Sequence, residues 1–259
     1  MTKDRSSRNN SGQSLIIAAL VVSLLIISIF YSVFEANRTN ESRASKTLNS
    51  HVSAVKLGLQ NTVTSALVNA SNGGSTQALI TNLETYASFV GTQSHFGKCV
   101  TLFTVLDSLT YQSGIQLSWG SDGTGVSSAY VNSTLYFVDA ESELQLETVT
   151  NITTSVTLEG TYITLGETEK KVNVTCRLFN ENESVLAKSI AVYYEYDGEP
   201  SDQNWIAANS PTVFDYGNGT YVISFIAVTQ TRNDPVLVSA QIFDHRDVFV
   251  LANVTCTET

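Results

Sequence analysis

The feature that most constrains this chain is a run of twenty residues without a charged side chain. It extends from Leu15 to Phe34 and reads LIIAALVVSLLIISIFYSVF. As a helix rising 1.5 Å per residue, this run would cover the ~30 Å hydrocarbon core of a bilayer with its backbone groups satisfied internally. The sequence therefore predicts a transmembrane helix at residues 15–34. A buried core helix and a cleaved secretory signal are the alternatives.

The residues before this run set the predicted orientation. Residues 1–14 contain Lys3, Arg5 and Arg8 but only one acid, Asp4. By the positive-inside rule, such a short basic tail stays in the cytoplasm. The predicted localisation is the cell membrane, as a single-pass protein with a cytoplasmic N-terminus and an extracellular C-terminal part.

Net charge and residue usage exclude two classes of function. The formal net charge is −10 at pH 7, which argues against a protein that binds the phosphate backbone of nucleic acids. Three histidines and three cysteines lack the number and the paired spacing of a zinc centre. We therefore expect no nucleic-acid partner, no metal and no cofactor.

Glycosylation signals agree with an exported chain. Asn-x-Ser/Thr sequons are more frequent than the serine and threonine content predicts, and each is a candidate N-glycosylation site. The alternative is that threonine-rich strands create such sequences incidentally. The nine candidate asparagines are Asn37, Asn40, Asn69, Asn132, Asn151, Asn173, Asn182, Asn218 and Asn253.

A helical pattern follows the predicted span, from residue 35 to about residue 93. Two apolar stripes at helical spacing are separated by Asn72-Gly73-Gly74, and they predict an amphipathic helical hairpin. The first stripe either packs on the rest of the chain or forms a contact between copies. The stripes consist of Leu48, Val52, Val55, Leu59, Thr62 and Ala66, and of Leu79, Leu83, Tyr86 and Val90.

Beyond residue 98 the pattern changes to strands. Segments rich in β-branched and aromatic residues predict a small antiparallel sheet up to about residue 148, on which the helices can lie. Residues 149–259 contain six or seven short strands separated by turn signals, as in an immunoglobulin-like sandwich. The predicted fold is therefore α+β. Its segments are a leader at 1–14, a span at 15–34, a helical hairpin with a sheet at 35–148, and a sandwich at 149–259.

Two cysteines occupy matching positions in the predicted sandwich. The tetrapeptide Asn-Val-Thr-Cys occurs at residues 173–176 and again at 253–256. In a strand, Cys176 and Cys256 would point inward while the sequon asparagines face solvent. In an oxidising compartment such thiols pair, so a Cys176–Cys256 disulfide is expected, with two buried free thiols as the alternative.

No motif indicates catalysis. The sequence contains no nucleophile elbow, phosphate-binding loop or HExxH zinc signature. His245 lies between acids in Phe243-Asp244-His245-Arg246-Asp247, and such flanking acids at a turn are typical of surface charges. We therefore expect that the protein is not an enzyme.

The N-terminal segment resembles the type IV pilin-like proteins of archaea. The resemblance rests on a short basic leader ending in Gly12, then Gln13-Ser14, an apolar helix, an amphipathic helix and a β-rich head. It implies that a prepilin peptidase cuts between Gly12 and Gln13 and that the helices bundle into a filament core. The chain differs from the family pattern at Ser11, where archaeal leaders place a basic residue, and at Ile17, where bacterial-type pilins carry glutamate.

Three functions follow as hypotheses. The favoured one is a membrane-anchored cell-surface protein with a structural or adhesive role, which associates with itself or with other surface or pilus proteins in a filament. The second is a receptor-like module that presents its sandwich to a partner or a solute. The third, an ectoenzyme, would need a pocket with converging acids that the sequence does not indicate.

Overall fold

The computed structural model describes residues 7–92, 98–138, 143–197 and 204–259. Within residues 7–48 it describes the side chains only at positions 23, 26–33 and 35. The chain divides into two compact units, Met1–Ala54 and Val55–Thr259. The described strands, and the two hydrophobic cores presented below, belong to the second unit.

Two helices open the described chain. Helix α1 covers Ser7–Ser71 and helix α2 covers Ala78–Thr92. Helix α1 ends directly before the Asn72-Gly73-Gly74 break, where Gly73 adopts a φ of 90°. This left-handed conformation costs glycine little, and the amide of Gly74 then donates to the carbonyl of Asn69 across 2.9 Å.

Twelve strands follow and form one connected sheet. Along its main path the order is β8-β7-β11-β12-β4-β5-β10-β9, with β1 and β2 paired to β3, β3 paired to β4, and β6 paired to β5. The strands are β1 Lys98–Val105, β2 Ile115–Trp119, β3 Thr124–Val138, β4 Glu143–Thr164, β5 Glu169–Asn180, β6 Glu183–Ser184, β7 Ala187–Glu195, β8 Trp205–Ala207, β9 Thr212–Asp215, β10 Thr220–Val228, β11 Val236–Asp244 and β12 Phe249–Glu258.

Strand β4 is the longest, at 22 residues, and connects the two ends of the sheet. Its residues 143–157 pair with β3 over fifteen positions, and its residues 154–164 pair with β5 over eleven. The boundary expected between residues 148 and 149 therefore falls inside β4, in the middle of its ladder with β3.

Alternate residues of these strands build a sandwich core. Inward side chains of β4, β5 and β10 pack against those of β7, β11 and β12, so the sheet folds over on itself. Strand β12 closes the fold by pairing in parallel with β4 at Thr257–Thr161 and Glu258–Tyr162. In β10, buried residues alternate with half-buried or exposed ones, so one face of the strand contributes to the core.

A second core lies between the helices and the part of the sheet formed by β1, β2 and β3. Leu59, Val63 and Leu67 of α1 and Leu79 and Leu83 of α2 contribute fully buried side chains to it. The sheet side of this core consists of Ile115, Ala129 and Val131, with Val248 from the turn between β11 and β12.

The predicted α+β fold, with a helical hairpin on a small sheet and a separate sandwich, is therefore wrong. The helices cover one part of a large mixed sheet, and the sheet, not the helices, determines the architecture. The reason is β4, because a strand that pairs with both β3 and β5 fuses the small sheet and the sandwich into one sheet.

The predicted membrane span at residues 15–34 is also wrong. Across the residues that the structure describes, no helix combines the length and the apolar character needed to cross a bilayer. The single-pass localisation and the orientation derived from the basic tail lose their basis with it.

Candidate functional site

The most unusual described surface belongs to α1. Between Ile26 and Val33 six large apolar side chains are 49–72% exposed, which is far from the usual state of such residues. They are Ile26, Ile27, Ile29, Phe30, Tyr31 and Val33. We call this segment the apolar collar. A contiguous exposed apolar surface of this kind marks an interaction site.

The distribution of these side chains around the helix indicates how many neighbours are needed. At 3.6 residues per turn the six residues of the collar span an arc of roughly 200°, and Ser28 and Ser32 fill the remaining sector. A helix that packs on one surface carries an apolar stripe of only about 100°. One neighbouring helix therefore leaves part of the collar exposed, whereas two or more can cover it.

The apolar stripe further along α1 has another role. Val55, Leu59 and Ala66 are buried within the second unit, and the hydroxyl of Tyr86 in α2 donates to the carbonyl of Val55 across 2.7 Å. Gly58 lets this tyrosine approach, because a Cβ at Gly58 would lie 2.4 Å from its hydroxyl oxygen. From Val55 onward, the buried residues of the stripe pack on their own chain.

The expected leader cleavage site lies within α1. Gly12 and Gln13 are part of the helix that begins at Ser7, and their side chains lie outside the described residues. Cleavage between them stays a prediction.

The sequon asparagines fall into three groups by exposure. Asn69, Asn132, Asn151, Asn182 and Asn218 are exposed, as a glycan acceptor must be. Asn173 and Asn253 are only half-buried members of paired strands, and the side chain of Asn173 accepts a hydrogen bond from Ser224. The side chains of Asn37 and Asn40 lie outside the described residues. Glycosylation at each site stays a prediction.

The expected disulfide between Cys176 and Cys256 is wrong. Both side chains point inward, as the strand parity requires, but both are free thiols, as is the buried Cys99. Cys176 of β5 lies opposite Leu158 of β4, whereas Cys256 of β12 packs against Gly160, where a Cβ would lie 2.3 Å from its sulfur. The cysteines therefore approach β4 from β5 and from β12, and they are not cross-strand partners.

Burial of these thiols predicts an alkaline loss of stability. Burial raises the pKa of Cys176 and of Cys256 from 9.0 to about 12. The folded state keeps both protons between pH 9 and 12, whereas the unfolded chain releases them near pH 9. The stabilisation from the two buried thiols is therefore fully present below pH 9. As the pH rises to 11, the free energy of unfolding should fall by roughly 2–3 kcal/mol per thiol.

Urea denaturation between pH 8 and 11 measures this loss. Lys170 acts in the opposite direction, because burial lowers its pKa and deprotonation relieves that cost. The matched variant Cys176→Ala isolates the thiol, because every other group remains, and its free energy of unfolding should fall less steeply with pH. Equal slopes for the two proteins would contradict the prediction.

Among the described residues Lys170, Glu195 and Asp244 are fully buried charged residues, and the sequence analysis indicated none of them. The predicted surface acid Asp244 is fully buried, and Arg246 donates to it from Nε across 2.9 Å. Lys170, also fully buried, donates from Nζ to the carbonyl of Asp234 and lies 5.0 Å from the ring centroid of Tyr162. Both groups hold loops in place. The sequence Asp244-His245-Arg246-Asp247 does not indicate that its first acid is buried, and the position of Lys170 near the start of β5 does not indicate its burial either.

The remaining chemical candidates are dispersed. His245 is exposed, as the sequence indicates, and His95 lies outside the described residues. Among the residues that the structure describes, no group of three or more histidines, cysteines or acids could hold a metal ion. No protein-family model matches the chain, and no curated protein is significantly similar to it.

Proposed function

We propose that this protein is a structural subunit that works by self-assembly through the apolar collar of α1, as a filament subunit of the pilin-like kind would. The observation that supports it is the exposure of six large apolar side chains in one helical segment. Such a surface is unfavourable in water, at roughly 25 cal/mol per Å² of apolar area, and burying it drives association.

A second copy of the same chain is the partner that the collar fits best. The arc of roughly 200° needs more than one neighbour, and a repeating assembly supplies several identical helices around each one. In such an assembly the collar of each helix would contact the collars of its neighbours. All of these surfaces are apolar, so no charged side chain would have to be desolvated. The residues beyond Val55 are already packed on their own sheet, so the collar is free to serve assembly alone.

The sandwich and the helix-covered sheet form the head of such a subunit. A role in adhesion or spacing suits a head of this kind, because it has hydrophobic cores of its own. The resemblance of the leader and helix to archaeal pilin-like proteins supports the same proposal. The proposal requires neither a catalytic centre nor a membrane span.

The test is a charge placed in the collar. In the double variant Ile27→Asp and Phe30→Asp, each carboxylate would have to be buried between helices at a cost of several kcal/mol. We expect the unchanged chain to form large assemblies as its concentration rises, and the double variant to stay monomeric. Sedimentation velocity and negative-stain electron microscopy of the full chain measure both.

The matched control places the same charges on the opposite sector of the same helix. The double variant Ser28→Asp and Ser32→Asp adds two carboxylates outside the apolar arc and should still assemble. An unchanged chain that stays monomeric at high concentration would contradict the proposal, as would equal assembly of the two double variants.

A further inference from the structure

Both tryptophans of the chain line one cleft. The sequence contains two, Trp119 at the end of β2 and Trp205 at the start of β8. They are 86 positions apart, yet both border a cavity of about 480 Å³, together with Tyr193, Ser239, Gln241, Leu251 and Asn253. This volume is in the range of small-molecule sites, roughly 300–1,000 Å³.

The floor of the cleft is the outer face of the sandwich. Neighbours of the floor residues along their strands, such as Val192, Val238 and Ala252, point into the core, so the floor residues point away from it. Tyr193, Ser239 and Asn253 are paired in a row across β7, β11 and β12. Their side chains therefore lie side by side on this face, with Ser239 buried and Tyr193 and Asn253 half-buried.

The tryptophans stand at opposite borders of this floor. Strand β8, which carries Trp205, pairs with β7 at one border. At the other border the turn after Trp119 joins β12, because the amide of Asn253 donates to the carbonyl of Gly120 across 3.0 Å. With strands ~4.8 Å apart, the floor between β8 and β12 is about 14 Å wide.

The indole of Trp119 is held in a fixed orientation. Its Nε1 donates to Oγ of Ser127 across 3.2 Å, and that hydroxyl donates to the carbonyl of Phe249 across 2.7 Å. The ring of Phe249 also meets the indole edge-on, with a distance of 5.2 Å between ring centroids. A fixed aromatic wall loses little conformational entropy when a ligand packs on it.

The chemistry of the lining selects the ligand class. Ser239, Gln241 and Asn253 offer uncharged donors and acceptors, and the described lining carries no charged side chain. The Oδ1 atom of Asn253 is buried and accepts no hydrogen bond from the described residues. An apolar ligand would leave these groups without partners, and an ionic ligand would find no opposite charge in the described lining.

We propose that this cleft binds a neutral carbohydrate, as a short oligosaccharide. A sugar ring has apolar C–H faces that can pack on the indoles of Trp119 and Trp205, and hydroxyls that can pair with the half-buried Gln241 and Asn253. A floor about 14 Å wide suits a chain of sugars better than a single ring. The inference is independent of self-assembly, because none of these residues belongs to the collar.

Tryptophan fluorescence reports this site directly, since both tryptophans of the chain line the cleft. The full chain, produced in a host without N-glycosylation, is titrated with cellotetraose, chitotetraose and mannotetraose. We expect a saturable change in emission with at least one of them. Trp205→Ala should weaken that binding at least about tenfold, as loss of an aromatic anchor does.

Two further variants separate binding from folding. Gln241→Leu removes polar groups from the floor without opening a cavity and should also weaken binding while the melting temperature stays close to that of the unchanged chain. The control Phe214→Ala removes an exposed aromatic residue of β9 that does not line the cleft, and its affinity should remain within about twofold.

Three results would overturn the proposal. The first is the absence of a saturable change with all three sugars at millimolar concentration. The second is saturation by indole without a response to any sugar, which would identify an apolar ligand. The third is an unchanged affinity in both Trp205→Ala and Gln241→Leu, which would place sugar binding elsewhere on the chain.

Discussion

Replacing Asp244 with asparagine is expected to lower the free energy of unfolding by about 3–5 kcal/mol, because it removes the fully buried partner of the ion pair with Arg246. The Asp244 carboxylate accepts hydrogen bonds from four groups at 2.8–2.9 Å: the amides of Arg246 and Val248, Nε of Arg246, and the hydroxyl of Thr154. An asparagine amide has one oxygen where the carboxylate has two. Urea denaturation should show a lower midpoint with an unchanged slope.

The effect should extend beyond the turn between β11 and β12. Arg246 also donates to Glu181, to the carbonyl of Thr153 and to the hydroxyl of Thr154, so it ties this turn to β4 and to the turn after β5. Burial lowers the pKa of Arg246, but its hydrogen bonds to Glu181 and Asp244 raise it overall, so the guanidinium stays charged.

The matched control is three residues away. Asp247→Asn changes an exposed acid of the same turn, whose ion pair with Lys188 is open to solvent and worth little. Its φ of 66° also suits asparagine, so we expect a change of less than about 0.5 kcal/mol. Equal effects of the two substitutions would contradict the role assigned to Asp244.

The second large effect is expected for Gly125→Ala. A Cβ at Gly125 would lie 2.1 Å from the carbonyl oxygen of Leu251, a backbone atom of β12. Since a backbone cannot turn aside as a side chain can, β3 and β12 must separate, at a cost of about 3 kcal/mol or more. The melting temperature should fall by roughly 10 °C, measured by circular dichroism.

Gly166→Ala is the control for this substitution. Apart from its two chain neighbours, no described residue has an atom within 4 Å of the Cβ it would add, and Gly166 is not among the glycines with positive φ. The variant should unfold at nearly the same temperature as the unchanged chain. If Gly125→Ala melts like Gly166→Ala, the close approach of β12 to β3 is not present in solution.

Local patterns predicted local structure well. The Asn72-Gly73-Gly74 break marks the end of α1, and strand parity placed Cys176 and Cys256 inside. These features depend on residues a few positions apart, where periodicity and turn chemistry act. Predicting a disulfide also requires knowing which strands are neighbours, and the alternation of side chains along one strand does not contain that information.

What the sequence did not reveal depends on distant partners. Asp244 looked like a surface acid because Thr154, which donates to it, is 90 positions away, and Glu181, which pairs with the neighbouring Arg246, is 65 positions from that arginine. The two tryptophans lie in unrelated segments, and only the strand order brings them to one cleft. The length and hydropathy of the charge-free run at residues 15–34 predicted a membrane span. Neither property shows whether lipid or protein surrounds an apolar helix.

Strand β4 gives the head a further property. Its first half carries the ladder to β3 under the helices, and its second half carries the ladder to β5 in the sandwich. The two cores are therefore joined by one uninterrupted strand and not by a linker. Neither core can be exchanged, deleted or copied alone by recombination, because a cut near residue 148 would leave half a strand on each side. Insertions are accommodated better in the turns between paired strands. Changes in chain length in this head are therefore confined to those turns.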